Sequence, residues 1–422
     1  MNTSINVVRL RQPDKIDDPL TDVLRAGARR LLAQAVELEA EAFLAEMREL
    51  RLPDGRDRLV RHGHGPERMI QTGIGPVAVS RVKIRDRGAV DATDRIRFSS
   101  SILPKWARRT RSIDALLPVL YLRGVSTGDF QEALAALLGK DASNLSPSVI
   151  TRLTAEWQAE YEHWQRRDLS ARRYVYVWAD GVYLQARMEE HAECMLVLIG
   201  ATPEGKKELV GFQVGVRESA QSWRELLVEV KRRGLTIAPE LAVGDGALGF
   251  WTALDAIYPG TRHQRCWVHK TANVLNKVPK SAQILMKADL REIHGAPTRA
   301  TAEVAIDVFA EKYGAKYAKA AVCLTKDRDA LLAFYDFPAE HWDHLRTSNP
   351  IESVFATVRH RTVRTKGSLS PTTARLMVFK LVVSASKTWR RLKGENQLPK
   401  VVAGVTFQDG TEVTQRPSTR AA

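Results

Sequence analysis

Tyr174-Val175-Tyr176-Val177-Trp178-Ala179-Asp180-Gly181 is the stretch on which the fold turns. Its β-branched and aromatic residues form a run of strand length without a polar interruption, as in a strand buried inside a sheet. The run closes on a carboxylate, Asp180, followed by Gly181. A charge at the end of a buried strand is costly unless it is paired or holds a cation. Downstream, Glu193 to Ile199 and Glu208 to Val214 read as two more strands, parted by the turn signal Thr202-Pro203-Glu204-Gly205. Ser222 to Val230 is a helix that ends near Gly234, and Leu241-Ala242-Val243 is a short fourth strand. Three strands, a helix, a strand and a helix predict an α/β fold with a mixed sheet and helices packed against it.

The fourth strand repeats the opening pattern, ending in Gly244-Asp245-Gly246. Two acids at neighbouring strand ends, flanked by glycines that let a ligand come close, suit a hard divalent cation. Taken singly, each Asp-Gly pair also reads as an ordinary turn. A third acid, Glu352, lies in Asn349-Pro350-Ile351-Glu352. Asparagine, proline and glutamate at these positions fit a helix start with Asn349 as N-cap and Glu352 closing a capping box. That structural role and a metal-binding role both explain Glu352, and spacing does not separate them.

The flanking regions read as helical. Residues 19–50 carry Leu24, Ala28, Leu31, Leu32, Ala35 and Leu38 at helical spacing, and the pattern breaks at Pro53-Asp54-Gly55. Val77 to Ile84 alternates as a small β-element would. Residues 112–165 form successive helices, with Ile113 to Leu122 first and a second capped by Ser126-Thr127-Gly128-Asp129. Ser146-Pro147 starts a third, with Val149, Ile150 and Leu153 inward and Ser148, Thr151 and Arg152 outward. Short polar and basic residues on an exposed first turn suit a helix that reads a DNA groove. A plain three-helix packing unit explains the same pattern equally well. Residues 280–345 are helical and poor in strands.

The chain has 422 residues, a formal net charge of +15, 44% hydrophobic and 7% aromatic residues, which suggests several domains and a polyanionic partner. Cys194, Cys266 and Cys323 make no disulfide framework, which points to a reducing compartment. Met1 to Asn6 does not resemble a secretory leader, and no apolar run is long enough to span a membrane. A soluble, cytoplasmic protein is the expectation.

Several motifs in order resemble the mutator-type transposases of bacterial insertion sequences. They are Trp178-Ala179-Asp180-Gly181-Val182-Tyr183, Gly244-Asp245-Gly246-Ala247-Leu248-Gly249-Phe250, Arg265-Cys266-Trp267-Val268-His269-Lys270 and Ser348-Asn349-Pro350-Ile351-Glu352-Ser353. Arg123-Gly124-Val125-Ser126-Thr127 and Leu145-Ser146-Pro147-Ser148 resemble the family's helix-turn-helix.

The resemblance implies a DDE transposase: an RNase H-like mixed-sheet core interrupted by an all-α insertion, preceded by helical DNA-binding domains. The implied division is 1–110 for DNA binding or dimerisation and 111–170 for the helix-turn-helix. The core would occupy 171–279 and 346–405, with the insertion at 280–345 and a loose tail at 406–422. Asp180, Asp245 and Glu352 match the catalytic triad and would hold two Mg²⁺ or Mn²⁺ ions, Asp180 bridging them. The reaction implied is hydrolytic nicking at the element's end, followed by attack of the freed 3′-hydroxyl on a second phosphodiester. The partners implied are the element's terminal inverted repeats, target DNA and at least one further copy of the chain, in association with the bacterial nucleoid. A DNA-binding regulator with an idle core is the alternative.

Cys266 and His269 are half of a zinc pattern at most, and the family motif makes them a positioning pair beside the active site. Beyond Glu352 come Arg359, Arg361, Arg364 and Lys366, then Arg375, Lys380, Lys387, Arg390, Arg391 and Lys393. Leu376, Phe379 and Val383 interleave with them, so the segment reads as helix with one core face and one face for the DNA backbone. Trp251 and Trp267 read as core.

Overall fold

A computed structural model describes residues 19–91, 93–103, 107–110, 112–113, 120, 148–184, 193–215, 217–246, 248–365 and 371–413. They belong to two compact units, divided between Leu153 and Thr154. Most of the proposed helix-turn-helix, residues 114–119 and 121–147, lies outside the described residues.

The first unit opens with helix α1 (Pro19–Glu46), followed by strands β1 (Leu59–His64), β2 (Arg68–Thr72), β3 (Gly75–Val79) and β4 (Val82–Asp86). β1 pairs with β4 and β2 with β3, both antiparallel. The alternating run Val77 to Ile84 is therefore two strands in separate ladders, broken at Ser80-Arg81. The core gathers Val36 and Ala40 of α1 with Ile70, Val77, Val79 and Val82. This corrects the sequence reading of α1: Leu24, Leu31 and Leu38 are exposed, and the buried stripe runs through Val36 and Ala40. Arg58 closes the unit's polar side with a two-pronged bond to the buried Asp86, at 2.9 and 3.0 Å.

Helix α2 (Ser148–Gln165) runs across the division in the chain. The second unit is built on a five-stranded sheet of β5 (Tyr176–Leu184), β6 (Glu193–Ala201), β7 (Lys207–Gly215), β8 (Leu241–Gly244) and β9 (Arg262–Arg265). The order is β7-β6-β5-β8-β9. β5 to β7 form an antiparallel meander, whereas β8 joins β5, and β9 joins β8, in parallel. The fold is thus a mixed α/β one, as the order of elements in the sequence predicts.

Parallel neighbours need crossover connections, and two helices supply them. α3 (Ala220–Arg232) leads from β7 to β8, and α4 (Leu248–Ile257) from β8 to β9. α3 starts at the N-cap Ser219, whose hydroxyl accepts the N–H of Ser222 at 3.1 Å. Its apolar stripe, Trp223, Leu226, Leu227 and Val230, packs with Phe250 and Leu254 of α4 against Val177, Leu196 and Leu198 of the sheet. Fully burying an aliphatic side chain of this kind contributes about 1.5–3 kcal/mol.

Tyr176, Trp178 and Asp180 alternate with Val177 and Ala179 and so face the other side of the sheet. The chain beyond β9 covers that side. α5 (Trp267–Leu275), α6 (Lys280–Gly295), α7 (Arg299–Gly314), α8 (Ala318–Thr325), α9 (Arg328–Leu332) and α10 (Trp342–Leu345) come in succession, and residues 280–345 contain no strand. The Tyr176 hydroxyl meets His341 Nδ1 at 2.8 Å, and Trp178 Nε1 donates to the His344 carbonyl at 2.9 Å. Buried polar groups lock these helices to the core. Gln264 donates to the Leu331 carbonyl at 3.1 Å and accepts the Phe334 N–H at 2.8 Å. Trp267 Nε1 donates to the same Leu331 carbonyl at 2.9 Å. The buried Lys270 ammonium donates to the Cys323 carbonyl at 2.9 Å and to Asp327.

α11 (Asn349–Thr365) and α12 (Pro371–Ser386) complete this side, burying Ile351, Phe355, Val358, Leu376 and Phe379. Trp251 and Trp267 are core residues, as read from the sequence. Residues 406–413, read as the start of a loose tail, hold a short antiparallel pair, Phe407–Gln408 with Thr411–Glu412. It is pinned by the Gly410 N–H to the Tyr335 carbonyl at 3.0 Å and by Asp409 to the Arg299 N–H at 2.6 Å. The three cysteines are free and buried. No helix among the described residues is long and apolar enough to cross a membrane.

Candidate metal centre

β8 pairs with Tyr176 to Ala179 and stops. Asp180 is therefore the first residue of β5 beyond the end of its parallel partner, while its other edge stays paired with Val197 of β6. The strand does not end at Asp180, as the sequence reading had it. β5 runs on to Leu184, and Gly181 is a strand residue instead of a turn. Asp245 follows Gly244, the last residue of β8, so the two acids meet at one sheet edge.

A third carboxylate joins them. Glu218, just before the N-cap of α3, brings a carboxylate oxygen within 4.8 Å of those of Asp180 and Asp245. The sequence reading missed it, because Arg217-Glu218-Ser219 looks like an ordinary helix entry. No signal in the sequence marks it; in the structure it lies against Gly181, where a Cβ would be 2.5 Å from Glu218 Oε1. On the other flank Gly246 has φ +96°, and the Arg265 side chain occupies the space where its Cβ would be.

Asp180 is only 7% exposed, and its carboxylate accepts the Gly181 N–H at 2.8 Å. Burial pushes its pKa up to about 6; the charge of His269 pulls it down, and Asp245 and Glu352 push it further up. Burial likewise raises Glu218 to about 7, with Asp245 and Asp180 adding to the effect. No Lys or Arg forms an ion pair with Asp180 or Glu218 among the described residues. The buried Asp180 and the half-buried Glu218, with no Lys or Arg paired to either, are a donor set that a divalent cation would neutralise.

Glu352 belongs to a second, adjoining cluster with Cys266 and His269, their ligand atoms again within 4.8 Å of one another. Ser348 ties this cluster together. Its N–H and hydroxyl both lie 3.3 Å from Cys266 Sγ, and the hydroxyl is 3.2 Å from Glu352 Oε1. His269 Nδ1 is 3.9 Å from Glu352 Oε1. The hydrogen bond to Cys266 raises His269 to about 9 against the opposing effect of burial, and so favours the charged form of the ring. Burial opposes ionisation of the Cys266 thiol, but hydrogen bonds from His269 and Ser348 outweigh it and lower its pKa.

The capping box read at Asn349 is not formed. The Ser348 carbonyl accepts the Glu352 N–H at 3.1 Å, which makes Ser348 the cap residue. The Asn349 N–H goes to Thr347 Oγ1 at 3.4 Å, and the Glu352 carboxylate turns toward His269.

Of the DNA-binding candidates, Ser148, Thr151 and Arg152 lie in α2, with side chains outside the described residues. Arg361 and Arg364 lie in α11 under the same restriction, Lys366 is outside the described residues, and Arg359 is exposed on α11. The basic run is partly committed within the chain. Arg375 reaches Gln158 at 3.2 Å and lies over the Tyr161 ring, and Lys380 pairs with Glu160. Lys393 meets Asp343 at 3.1 Å and Arg391 meets Glu395 at 3.3 Å.

Fold and site together define a class: a basic α/β protein whose sheet edge carries an acidic cluster able to hold a metal ion. Comparison with known proteins narrows the class. The family described as "Transposase, Mutator family" matches residues 2–391. The transposase for insertion sequence element IS6120 of Mycolicibacterium smegmatis is 49% identical over 72% of this chain and 93% of its own length. The transposase for insertion sequence element IST2 of Acidithiobacillus ferrooxidans is 53% identical over 66% of this chain and 95% of its own length. A more distant relative, the transposase for insertion sequence element IS256 in transposon Tn4001 of Staphylococcus aureus, is 27% identical over 70% of this chain and 73% of its own length. The chain belongs to the Mutator family of transposases.

Proposed function

We propose that this chain cuts DNA at the ends of an insertion sequence and joins them to a target, with Asp180, Asp245 and Glu352 as a DDE triad. The observation that carries the reading is the meeting of Asp180 and Asp245 at the sheet edge, where no Lys or Arg among the described residues pairs with the buried Asp180. The order β7-β6-β5-β8-β9, antiparallel and then parallel, supports an RNase H-like core. The strand-free helices of residues 280–345, between the second and third acids, support an inserted helical domain. The helix-turn-helix rests on the sequence pattern of residues 112–165.

Divalent ions such as Mg²⁺ or Mn²⁺, when bound, supply charge neutralisation at the reacting phosphodiester and activate the attacking oxygen. Asp180 and Asp245 would hold them from adjacent strands whose backbone hydrogen bonds fix their separation. Glu352, held by Ser348 and next to His269 in the adjoining cluster, would complete the site from α11. In its charged form, which the site favours, His269 would offset part of the surplus negative charge of the acids. Arg359, Arg361, Arg364 and Lys366 would follow the DNA backbone from α11 onward, and Ser148, Thr151 and Arg152 would read the terminal repeat.

Joining requires two element ends held together, which calls for a dimer or a higher oligomer. Leu24, Leu31 and Leu38, exposed at seven-residue spacing on α1, support self-association through that helix. The test is incubation with Mg²⁺ and DNA that carries the element's terminal repeats. Strand-transfer products are expected, and Asp180→Asn should abolish them. Cleavage without joining would indicate a nuclease, and binding alone a regulator.

A further inference from the structure

We propose that Glu218 is a fourth acidic residue of the reaction centre, a metal ligand beside Asp180 and Asp245 that the triad leaves out. The inference rests on the metal-dependent reading of the site given above.

The chain is built to bring Glu218 there. Each acid-bearing segment supplies a glycine against which the Glu218 segment is pressed. A Cβ on Gly181, next to Asp180, would lie 2.5 Å from Glu218 Oε1 and 2.6 Å from its carboxyl carbon. A Cβ on Gly249, four residues after Asp245, would lie 2.7 Å from the Glu218 carbonyl and 2.6 Å from the Ala220 nitrogen. The backbone contacts at Gly249 exclude any side chain there with the loop where it stands, and at Gly181 a side chain would displace the Glu218 carboxylate from its present position. The Glu218 backbone is also held from both sides. Its N–H donates to the Tyr183 hydroxyl at 3.4 Å, and the next residue, Ser219, caps α3.

Its carboxylate faces the buried Asp180, with which no Lys or Arg among the described residues is paired. Asp180 is more than nine-tenths buried, and its hydrogen bond comes from the adjacent Gly181 N–H. A carboxylate brought up to two others, in place of the Lys or Arg that would pair with them, raises the cost of the cluster unless a cation is bound. Glu352 is differently engaged, with Ser348 at 3.2 Å and His269 at 3.9 Å. The third oxygen donor at the Asp180–Asp245 pair is therefore Glu218.

The test measures Mn²⁺ binding to the full chain by calorimetry, with and without a duplex that carries the element's end. It compares the unaltered protein with Glu218→Gln, Glu218→Asp and Asp180→Asn, and thermal melting in EDTA is recorded for each. Glu218→Gln is expected to weaken Mn²⁺ at least tenfold without lowering the melting temperature in EDTA, because it removes like-charge repulsion. Glu218→Asp, which keeps the charge on a shorter arm, should lie between. If Asp180→Asn loses Mn²⁺ affinity while Glu218→Gln keeps it, the inference about Glu218 is overturned and the metal reading stands. If neither variant changes Mn²⁺ binding, the metal reading itself fails. A fall in the EDTA melting temperature of Glu218→Gln, with Mn²⁺ affinity unchanged, would make Glu218 a purely structural residue.

Discussion

Replacing Asp180 by asparagine should make the metal-free protein more stable at neutral pH, and by an amount that the site's electrostatics set. The carboxyl is buried, and its pKa rises from 3.8 to about 6, chiefly because burial disfavours the charged form. At about 1.4 kcal/mol per tenfold change in proton affinity, the ionised group costs the fold about 3 kcal/mol. The sign follows from linkage. The folded state binds this proton more tightly than the unfolded state, so below about pH 4 both are protonated and no cost arises. Stability is then lost as pH rises, and the loss is complete once pH passes about 6. Asparagine keeps an oxygen for the Gly181 N–H but carries no charge, so it escapes this penalty. The attraction of His269, which asparagine gives up, is already contained in the net shift, so the expected gain stays at about 3 kcal/mol. For a unit of this size that is about 6–12 °C in melting temperature. The assay is thermal melting in EDTA from pH 4 to pH 7.5, repeated with saturating Mn²⁺. The gain should be absent at pH 4, full at pH 7.5, and offset by Mn²⁺, which stabilises only the carboxylate form; excess ligand at about 100 times Kd contributes about 2.7 kcal/mol. A variant less stable than the unaltered protein at pH 7.5, or a gain that ignores pH, would refute the account.

Three further outcomes are expected. Lys270→Met should lower the melting temperature by about 6–12 °C, since breaking a buried pair costs about 3 kcal/mol and leaves the Cys323 carbonyl without its donor; an unchanged melting temperature would remove Lys270 from the anchors of the helical segment. Cys266→Ala should bring the His269 titration down from about 9, as followed by NMR of labelled histidine, because the hydrogen bond to Cys266 is the largest cause of its elevation; a titration that stays put would show that the acids alone set it. Leu31→Glu should shift the particle toward monomer in sedimentation while leaving the melting temperature within about 1 °C, because Leu31 is exposed and outside the core of its unit; an unaltered oligomer would exclude α1 as the self-association surface.

The parts of the fold legible in the sequence were those where apolar periodicity and burial coincide. β5 to β8 and α3 were readable because Val, Ile, Leu and aromatic residues fill positions that the sheet and the helix bury. β9 escaped notice because Arg262-His263-Gln264-Arg265 contains no apolar residue. It is a strand because β8 offers it a ladder and because Gln264 spends its amide on Leu331 and Phe334, which are distant in sequence. α1 misled for the opposite reason. It carries apolar residues on more than one face, and only contact with β3 and β4 decides which face is core.

The site divides along the same line. Asp180 and Asp245 could be found because each follows an apolar run, and a carboxylate there conflicts with its surroundings. Glu218 could not, because a glutamate ahead of a helix conflicts with nothing locally; only Gly181, from another strand, reveals that space was left for it. Glu352 stood between, since a glutamate in the first turn of a helix has a sufficient local explanation as a cap. The structure removes that explanation. Ser348 takes the cap position, the Asn349 N–H is served by Thr347, and the Glu352 carboxylate is turned to Ser348 and His269. A residue whose local role has been taken over by a neighbour, and which instead joins a cluster with a buried cysteine and a histidine whose charged form is favoured, needs a reason from the site. The proposed triad supplies one, and the charge of Glu352 does raise the proton affinity of Asp180.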